Sequence, residues 1–205
     1  MSAVGSVDFF TAAAKLEQCP AGQRPEIALA GRSNVGKSSL LNALSGKKIA
    51  IVSKTPGRTQ TVNFYLVEGK FFLVDLPGYG FAKVPAELQR HWGVLVEGYL
   101  RDRRQLRGVV QIVDIRHPPA ELDRQLFEWL RHYRIPAAVA ATKADKISRG
   151  QGLRQLQVIR KTLQLPEEVP LIAFSAKTGE GRPELWRVVG RWAGLGSQER
   201  NNDPG

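Results

Sequence analysis

The chain has 205 residues, 42% of them hydrophobic, with 30 Lys+Arg against 19 Asp+Glu, a formal charge of +11, and one cysteine. That length suits one domain with a sizeable core. No apolar run reaches the length of a membrane span. The start "MSAVGSVDFFTAAAKLEQ" lacks the cationic-then-apolar order of a secretory signal, and Cys19 alone cannot close an internal disulfide, which fits a reducing cytoplasm.

In chain order, residues 1 to about 8 lack an apolar face and are expected to be mobile, as is "GSQERNNDPG" at 196–205. Between them, strand-like and helix-like segments alternate. The predicted strands are "EIALA", "VNFYLVEG", "KFFLVDL", "GVVQIVDI", "AAVAATK" and "LIAFSA". The second and third flank Glu68-Gly69-Lys70 and read as an antiparallel hairpin. The others are apolar almost throughout, like strands buried on both faces of a parallel sheet.

Helices fill the gaps. Leu88, Trp92, Leu95 and Tyr99 share a face; so do Leu122, Leu126, Trp129 or Leu130, and Tyr133. Leu153, Leu156, Ile159 and Leu163 form a third face, and Leu185, Val188, Val189 and Trp192 a fourth, with Pro183 near the start of that helix. The predicted fold is a doubly wound α/β domain: a mostly parallel six-stranded sheet with one antiparallel hairpin strand and helices on both faces. Ligands belong at the C-terminal strand ends.

Between the first strand and the first helix lies "GRSNVGKSS". The spacing Gly31-x-x-x-x-Gly36-Lys37-Ser38 fits a phosphate-binding P-loop. Gly31 and Gly36 let the backbone turn and approach phosphates, while successive N–H groups and the helix start face negative charge. Lys37 supplies a full positive charge to the β- and γ-phosphates, and the Ser38 hydroxyl suits Mg²⁺. Ser39 can cap the helix or touch the α-phosphate. "FFLVDLPGYG" then ends a strand in Asp75, a second Mg²⁺ candidate, followed by Leu76, Pro77 and Gly78. The Gly78 N–H is free to meet a γ-phosphate, and glycine permits close approach.

Two further motifs follow separate strands: "TKAD" (Thr142 to Asp145) and "SAK" (Ser175, Ala176, Lys177). Both fall where a base would sit. Guanine has two adjacent donors, N1–H and N2–H₂, and one carboxylate, Asp145, can accept both. Adenine has no such pair and would leave a buried charge unpaired. Lys143 can lie along the base, and the Ala176 N–H can donate to O6.

Taken together, "GRSNVGKSSLLNAL", "SKTPGRTQTVNFY", "DLPGYGFAKV" and the threonine opening "TKAD" resemble the EngB (YihA/YsxC) family of ribosome-biogenesis GTP-binding proteins. That family sits in the TrmE-Era-EngA-EngB-septin-like GTPases. The similarity covers residues 20 to 193, nearly the whole chain. It implies one Ras-like G domain over 1–205 that binds GTP and GDP and hydrolyses GTP slowly with Mg²⁺. It also implies a role in large ribosomal subunit assembly and a link to cell division and septation. By resemblance, phosphate contacts extend over Gly31, Arg32, Ser33, Asn34, Val35, Gly36, Lys37, Ser38 and Ser39, then Gly57, Arg58 and Thr59, then Asp75 to Gly78. Guanine contacts fall on Thr142, Lys143, Asp145, Ser175, Ala176 and Lys177. Lys37, Thr59 and Gly78 carry the catalytic roles.

The polar stretch "SKTPGRTQTVNF" is switch I by the same resemblance, and Thr59 is the residue expected to reach Mg²⁺ and the γ-phosphate; Thr55 and Thr61 are alternatives. "PGYGFAKVP" is switch II. Loss of the γ-phosphate would release both. Some GTPases place a glutamine just after this glycine to orient the attacking water; here Tyr79 stands there and cannot supply that amide. Help must come from elsewhere. Asn34 resembles the asparagine by which related GTPases bind K⁺ beside the phosphates, or it occupies a tolerant loop position. A partner, the ribosomal particle, is the other helper, and Arg58 could supply charge or contact RNA.

The net positive charge points to polyanions, above all RNA, unless it is a generally basic surface without a dedicated partner. Two basic runs, "LRDRRQLR" (100–107) and "SRGQGLRQLQVIRK" (148–161), are candidates for rRNA backbone contact on a large-subunit precursor. A monomer is expected. Two competing functions are a P-loop kinase or ATPase, which has no use for "TKAD" and "SAK", and a cell-division binding module with little turnover.

Overall fold

The computed structural model describes residues 6–50, 61–79 and 86–195, the backbone alone for 86–93. A sheet of seven strands runs through the molecule in the order β1-β3-β4-β2-β5-β6-β7. The strands are β1 (Val7–Ala13), β2 (Glu26–Gly31), β3 (Val62–Val67), β4 (Phe71–Asp75), β5 (Leu106–Asp114), β6 (Ala137–Thr142) and β7 (Leu171–Ala173). The helices are α1 (Lys37–Ser45), α2 (Ala86–Asp102), α3 (Glu121–His132), α4 (Arg149–Thr162) and α5 (Arg182–Trp192). Short 3₁₀ turns cover Leu16–Gln18 and Ala144–Lys146.

The six strands read from the sequence are all present, and β1 is a seventh. It pairs antiparallel with β3, from Val7 opposite Val67 to Ala13 opposite Val62, with a bulge between Phe9 and Thr11. The bulge breaks the period-two alternation that marks a strand in sequence. Only Val7 and Ala13 of this strand are fully buried, so the apolar signal is sparse. Its partner strand is remote in the chain, and the pairing covers an edge that β3 would otherwise expose. β3 alone runs against the rest. It returns to β4 through Glu68 (φ 49°) and Gly69 (φ 68°), two left-handed residues that make the tight turn matching strand twist.

Strand β2 shows why the sheet is covered on both faces. Ile27 and Leu29 pack with Leu40, Leu41 and Leu44 of α1 and with Leu185 and Val189 of α5. Ala28 and Ala30 point the other way, into the cluster of Phe64, Phe72, Tyr99 and Leu130 under α2 and α3. Burial on both sides removes any polar alternation, as parallel inner strands require.

Two helix faces differ from their predicted positions. On α3, Leu126, Trp129 and Leu130 pack inward as read, but Leu122 and Tyr133 are 44% and 42% exposed, and Asp123 and Phe127 are buried in addition. Asp123 is drawn in because it closes the N-terminus of α3: its Oδ2 accepts the Ala120 N–H at 2.8 Å. On α4, Leu153 is 61% exposed while Ile159 and Leu163 are buried. The α5 face stands as read, with Trp186 added to it. On α2, Leu95 and Tyr99 are buried, and Leu88 and Trp92 have side chains outside the described residues.

Away from the strand ends that carry the motifs, Glu26 is 1% exposed. It accepts from the Tyr99 hydroxyl at 2.8 Å and from Arg103 Nε and Nη2 at 3.1 and 2.6 Å on Oε1. Arg103 also donates to the Pro20 carbonyl. One arginine of the first basic run is thus absorbed by the fold. Arg101 of that run pairs with Asp102 at 2.9 Å. Cys19 is buried nearby as a free thiol, which burial pushes above its ordinary pKa, so it has little thiolate character. No helix among the described residues is long and apolar enough to cross a membrane.

Candidate functional site

The motifs read from the sequence meet at one end of the sheet. Gly31 closes β2, residues 32–36 form the loop, and α1 begins at Lys37 with Gly36 as its N-cap at φ 102°. Asn34 is also left-handed, at φ 65°. Two left-handed residues coil the chain so that Lys37, Ser38 and Ser39 fall on the first turn of α1, where helix N–H groups lack partners. Gly31 is needed for space: a Cβ there would sit 2.7 Å from the Ile112 carbonyl oxygen.

Asp75 ends β4 beside β2, opposite Leu29. The Lys37 ammonium pairs with its Oδ1, and both side chains are largely buried, 13% and 8% exposed. The cation expected to meet phosphate and the carboxylate expected to meet the metal are therefore adjacent. After Asp75 the chain stays with the P-loop. Leu76 N–H donates to the Leu29 carbonyl at 3.1 Å, and Ser33 N–H to the Tyr79 carbonyl at 3.1 Å. Gly78 lies so close that a Cβ would be 3.0 Å from Ser33 Oγ and 3.4 Å from Ser33 N.

The base motifs are joined to this loop. Thr142, at the end of β6, donates its hydroxyl to the Val35 carbonyl and bonds the Val113 carbonyl at 3.0 Å. Lys143, left-handed at φ 64°, sends its ammonium to the Asn34 carbonyl and to Asp114 Oδ2, each at 2.7 Å. Its stem thus runs from the base loop to the phosphate loop. Asp145 Oδ1 accepts the Ser175 hydroxyl at 2.8 Å, and Ser175 Oγ accepts N–H groups from Lys177 and Thr178 at 3.2 and 3.1 Å. The Ser175 bond, then Lys146, hold the Asp145 carboxyl below its ordinary pKa against the opposing effect of burial. It remains an anion at neutral pH, as an acceptor for two donors must. Beside Ala176 and Lys177, a cavity of about 590 Å³ opens between α1 and the loop after β7, with Ser39 and Asn42 on its other wall.

Of the sites named from the sequence, 31–39, 75–78, 142, 143, 145 and 175–177 all gather here. Gly57, Arg58, Thr59 and Thr55 lie outside the described residues, as does switch II beyond Tyr79. Thr61 is described, and its hydroxyl bonds Asn63 Oδ1 at 3.0 Å. Two participants were not singled out from the sequence. Asp114 ends β5 and accepts from Arg116 and Lys143; burial raises its pKa, but those bonds outweigh it and hold the carboxyl well below the usual range. An aspartate closing an apolar strand was the available signal, as at Asp75. Asp123 accepts the Tyr79 hydroxyl at 2.9 Å, and no local pattern joins those two residues.

A P-loop, a strand-end aspartate and a carboxylate-bearing base loop converging at the ends of parallel strands define a P-loop GTPase. The family model described as "50S ribosome-binding GTPase" matches residues 26–143. Over 193 residues the chain is 58% identical to a probable GTP-binding protein EngB of Pelotomaculum thermopropionicum, covering 94% of this chain and 98% of that one. It is 48% identical over 198 residues to a probable GTP-binding protein EngB of Heliobacterium modesticaldum, covering 96% and 97%. A crystal structure of a probable GTP-binding protein EngB superposes with a TM-score of 0.70 at 28% identity, over 83% of this chain and 99% of that one. The chain belongs to the EngB family of GTP-binding proteins, and it is a GTP-hydrolysing enzyme.

Proposed function

We propose that the protein is a Mg²⁺-dependent GTP switch that acts on a precursor of the large ribosomal subunit. One observation carries the nucleotide chemistry: Lys37, Asp75 and Asp145 are brought to one end of the sheet, and Lys143 connects the loops that hold them. In this reading, Lys37 and the N–H groups of 31–39 hold the phosphates, and the Gly78 N–H meets the γ-phosphate. Thr142, Lys143, Asp145, Ser175, Ala176 and Lys177 enclose guanine. Gly57, Arg58 and Thr59 complete the phosphate site from switch I.

The donor set fits a hard cation that shares the nucleotide. Among the described residues no three acidic, histidine or cysteine side chains converge into a metal cage. The Ser38 hydroxyl and the Asp75 carboxylate are oxygen donors that would hold Mg²⁺ together with phosphate oxygens. The ion supplies neutralisation of charge on the β- and γ-oxygens. Asn34 contributes an exposed amide at the loop, and we assign it to K⁺; replacing K⁺ with Na⁺ should lower the hydrolysis rate, and an unchanged rate removes that assignment.

The ribosomal reading rests on family membership and on the charge of +11, which favours an RNA surface. The absence of a glutamine at Tyr79 supports turnover that depends on the ribosomal particle. The family's cell-division link, a cytoplasmic setting and a monomeric state complete the proposal. The test is co-sedimentation with ribosomal subunits in GTP-analogue and GDP forms across a salt series. Nucleotide-dependent binding to the large subunit that weakens with salt is expected. Equal binding of both forms at all salt concentrations would sink the switch on the ribosome and favour a nucleotide-dependent division module.

A further inference from the structure

Tyr79 follows Gly78, the residue read as the γ-phosphate contact, and its side chain reaches α3. The hydroxyl donates to Asp123 Oδ1 at 2.9 Å, and Asp123 is 3% exposed. The second oxygen of Asp123 accepts the Ala120 N–H at 2.8 Å, closing α3. The Asp123 carbonyl accepts Gln111 Nε2 at 2.6 Å from the fully buried middle of β5. Meanwhile the backbone of Tyr79 is paired with the P-loop: its carbonyl accepts Ser33 N–H at 3.1 Å, and it bridges Arg32 in parallel register. Tyr79 is thus held on two sides, by its backbone to the phosphate loop and by its side chain to α3. A buried carboxylate with both oxygens occupied resists displacement, since leaving either unpaired costs desolvation.

We propose that Tyr79 is a positioning residue: its hydroxyl on Asp123 fastens the chain just after Gly78, so that the Gly78 N–H is held ready for the γ-phosphate. The idea rests on the reading of Gly78 as a γ-phosphate contact. Tyr79 does not replace the missing glutamine. It is spent on holding the neighbouring amide, so the residue at this position contributes to recognition of GTP over GDP and not to the attacking water. The link also ties the phosphate-reading segment to the start of α3, on the far side of β5 from α1.

The consequence for substitution is specific. Tyr79→Phe keeps the ring and removes the bond. Asp123→Ala removes the same bond and also the helix closure. Asp123→Asn can keep both contacts, with its Oδ1 taking the Ala120 N–H and its amide donating to the Tyr79 oxygen. A whole bond to a carboxylate corresponds to about ten-fold or more in an equilibrium constant, and a part of it, about three- to ten-fold, is expected to bear on the choice between the two nucleotides.

The experiment measures affinity for GDP and for a non-hydrolysable GTP analogue in the full chain, as wild type, Tyr79→Phe, Asp123→Ala, Asp123→Asn and Tyr79→Phe/Asp123→Ala. The ratio of analogue to GDP affinity should fall about three- to ten-fold in Tyr79→Phe and Asp123→Ala, fall no further in the double variant, and return in Asp123→Asn. GDP affinity should stay near wild type. Hydrogen exchange at the amides of residues 78 and 79 of the GDP form should quicken in Tyr79→Phe. An unchanged ratio with unchanged exchange overturns the fastening. Quickened exchange with an unchanged ratio shows that Tyr79 holds the segment but that Gly78 does not read the γ-phosphate, which rejects the proposal as stated and with it the Gly78 contact. Additive losses in the double variant also overturn it.

Discussion

The Lys143 ammonium donates to the Asn34 carbonyl at 2.7 Å, and so a residue of the base loop holds the phosphate loop in place. The same ammonium pairs with Asp114 at 2.7 Å. The loop after β6 and the loop after β2 are mechanically one unit. Lys143→Met keeps the apolar stem and removes both charged bonds. The bond that reaches the phosphate loop, to the Asn34 carbonyl, is one made by a charged group and worth about 1.5–3 kcal/mol, so GDP and GTP affinities should fall together by about ten- to a hundred-fold. Titration calorimetry of both nucleotides checks this, and a loss confined to one of them contradicts the coupling.

Asp145 is expected to choose the base. In Asp145→Asn one acceptor of the guanine donor pair becomes an N–H, so GTP affinity should drop about a hundred-fold or more. Xanthosine triphosphate, which carries a carbonyl where guanine carries its amino group, should bind the variant better than wild type. Competition against a fluorescent guanine nucleotide measures both. A GTP preference over ATP that survives the substitution removes Asp145 from the base site.

Two glycine substitutions should move stability in opposite directions. At Gly31 an added methyl meets the Ile112 carbonyl oxygen at 2.7 Å. That oxygen belongs to the backbone of the paired strand β5 and yields little, so Gly31→Ala should cost about 1–3 kcal/mol. Gly150, in the first turn of α4, has nothing within 4 Å of an added Cβ. Gly150→Ala should stabilise by about 0.5–1 kcal/mol through helix propensity and a less flexible unfolded chain. Urea unfolding midpoints separate the two.

Asp114 supplies a pH dependence. Its carboxyl is held well below the ordinary value in the folded chain by Arg116 and Lys143, against the effect of burial. The unfolded chain therefore takes up the proton first as pH falls. The stabilisation from this group is complete above about pH 4–5 and is lost progressively below, as pH descends toward the folded pKa. Unfolding midpoints measured from pH 7 to pH 3 should decline at the acid end, and Asp114→Asn should flatten that decline. An identical acid limb in the variant assigns the decline to other carboxylates.

Much of this protein was legible in one dimension. The phosphate loop could be read because its chemistry is local: Gly31, Gly36, Lys37 and Ser38 lie within one turn between a strand and a helix. Asp75, "TKAD" and "SAK" were readable because each ends an apolar run, and parallel strands bring their C-terminal ends to one edge. The order of the motifs did the rest. Tertiary structure alone decided what depends on pairs distant in sequence. β1 joins the sheet by pairing with β3, its apolar alternation broken at a bulge. Asp123 and not Leu122 faces inward because a carboxylate can close a helix and receive Tyr79. Lys143 reaches Asn34, and Arg103 reaches Glu26, across the folded molecule. Periodicity records which residues avoid water; it does not record which polar atoms will meet once the chain has closed on itself, because the partners of a buried charge are selected by three-dimensional distance and not by spacing along the chain.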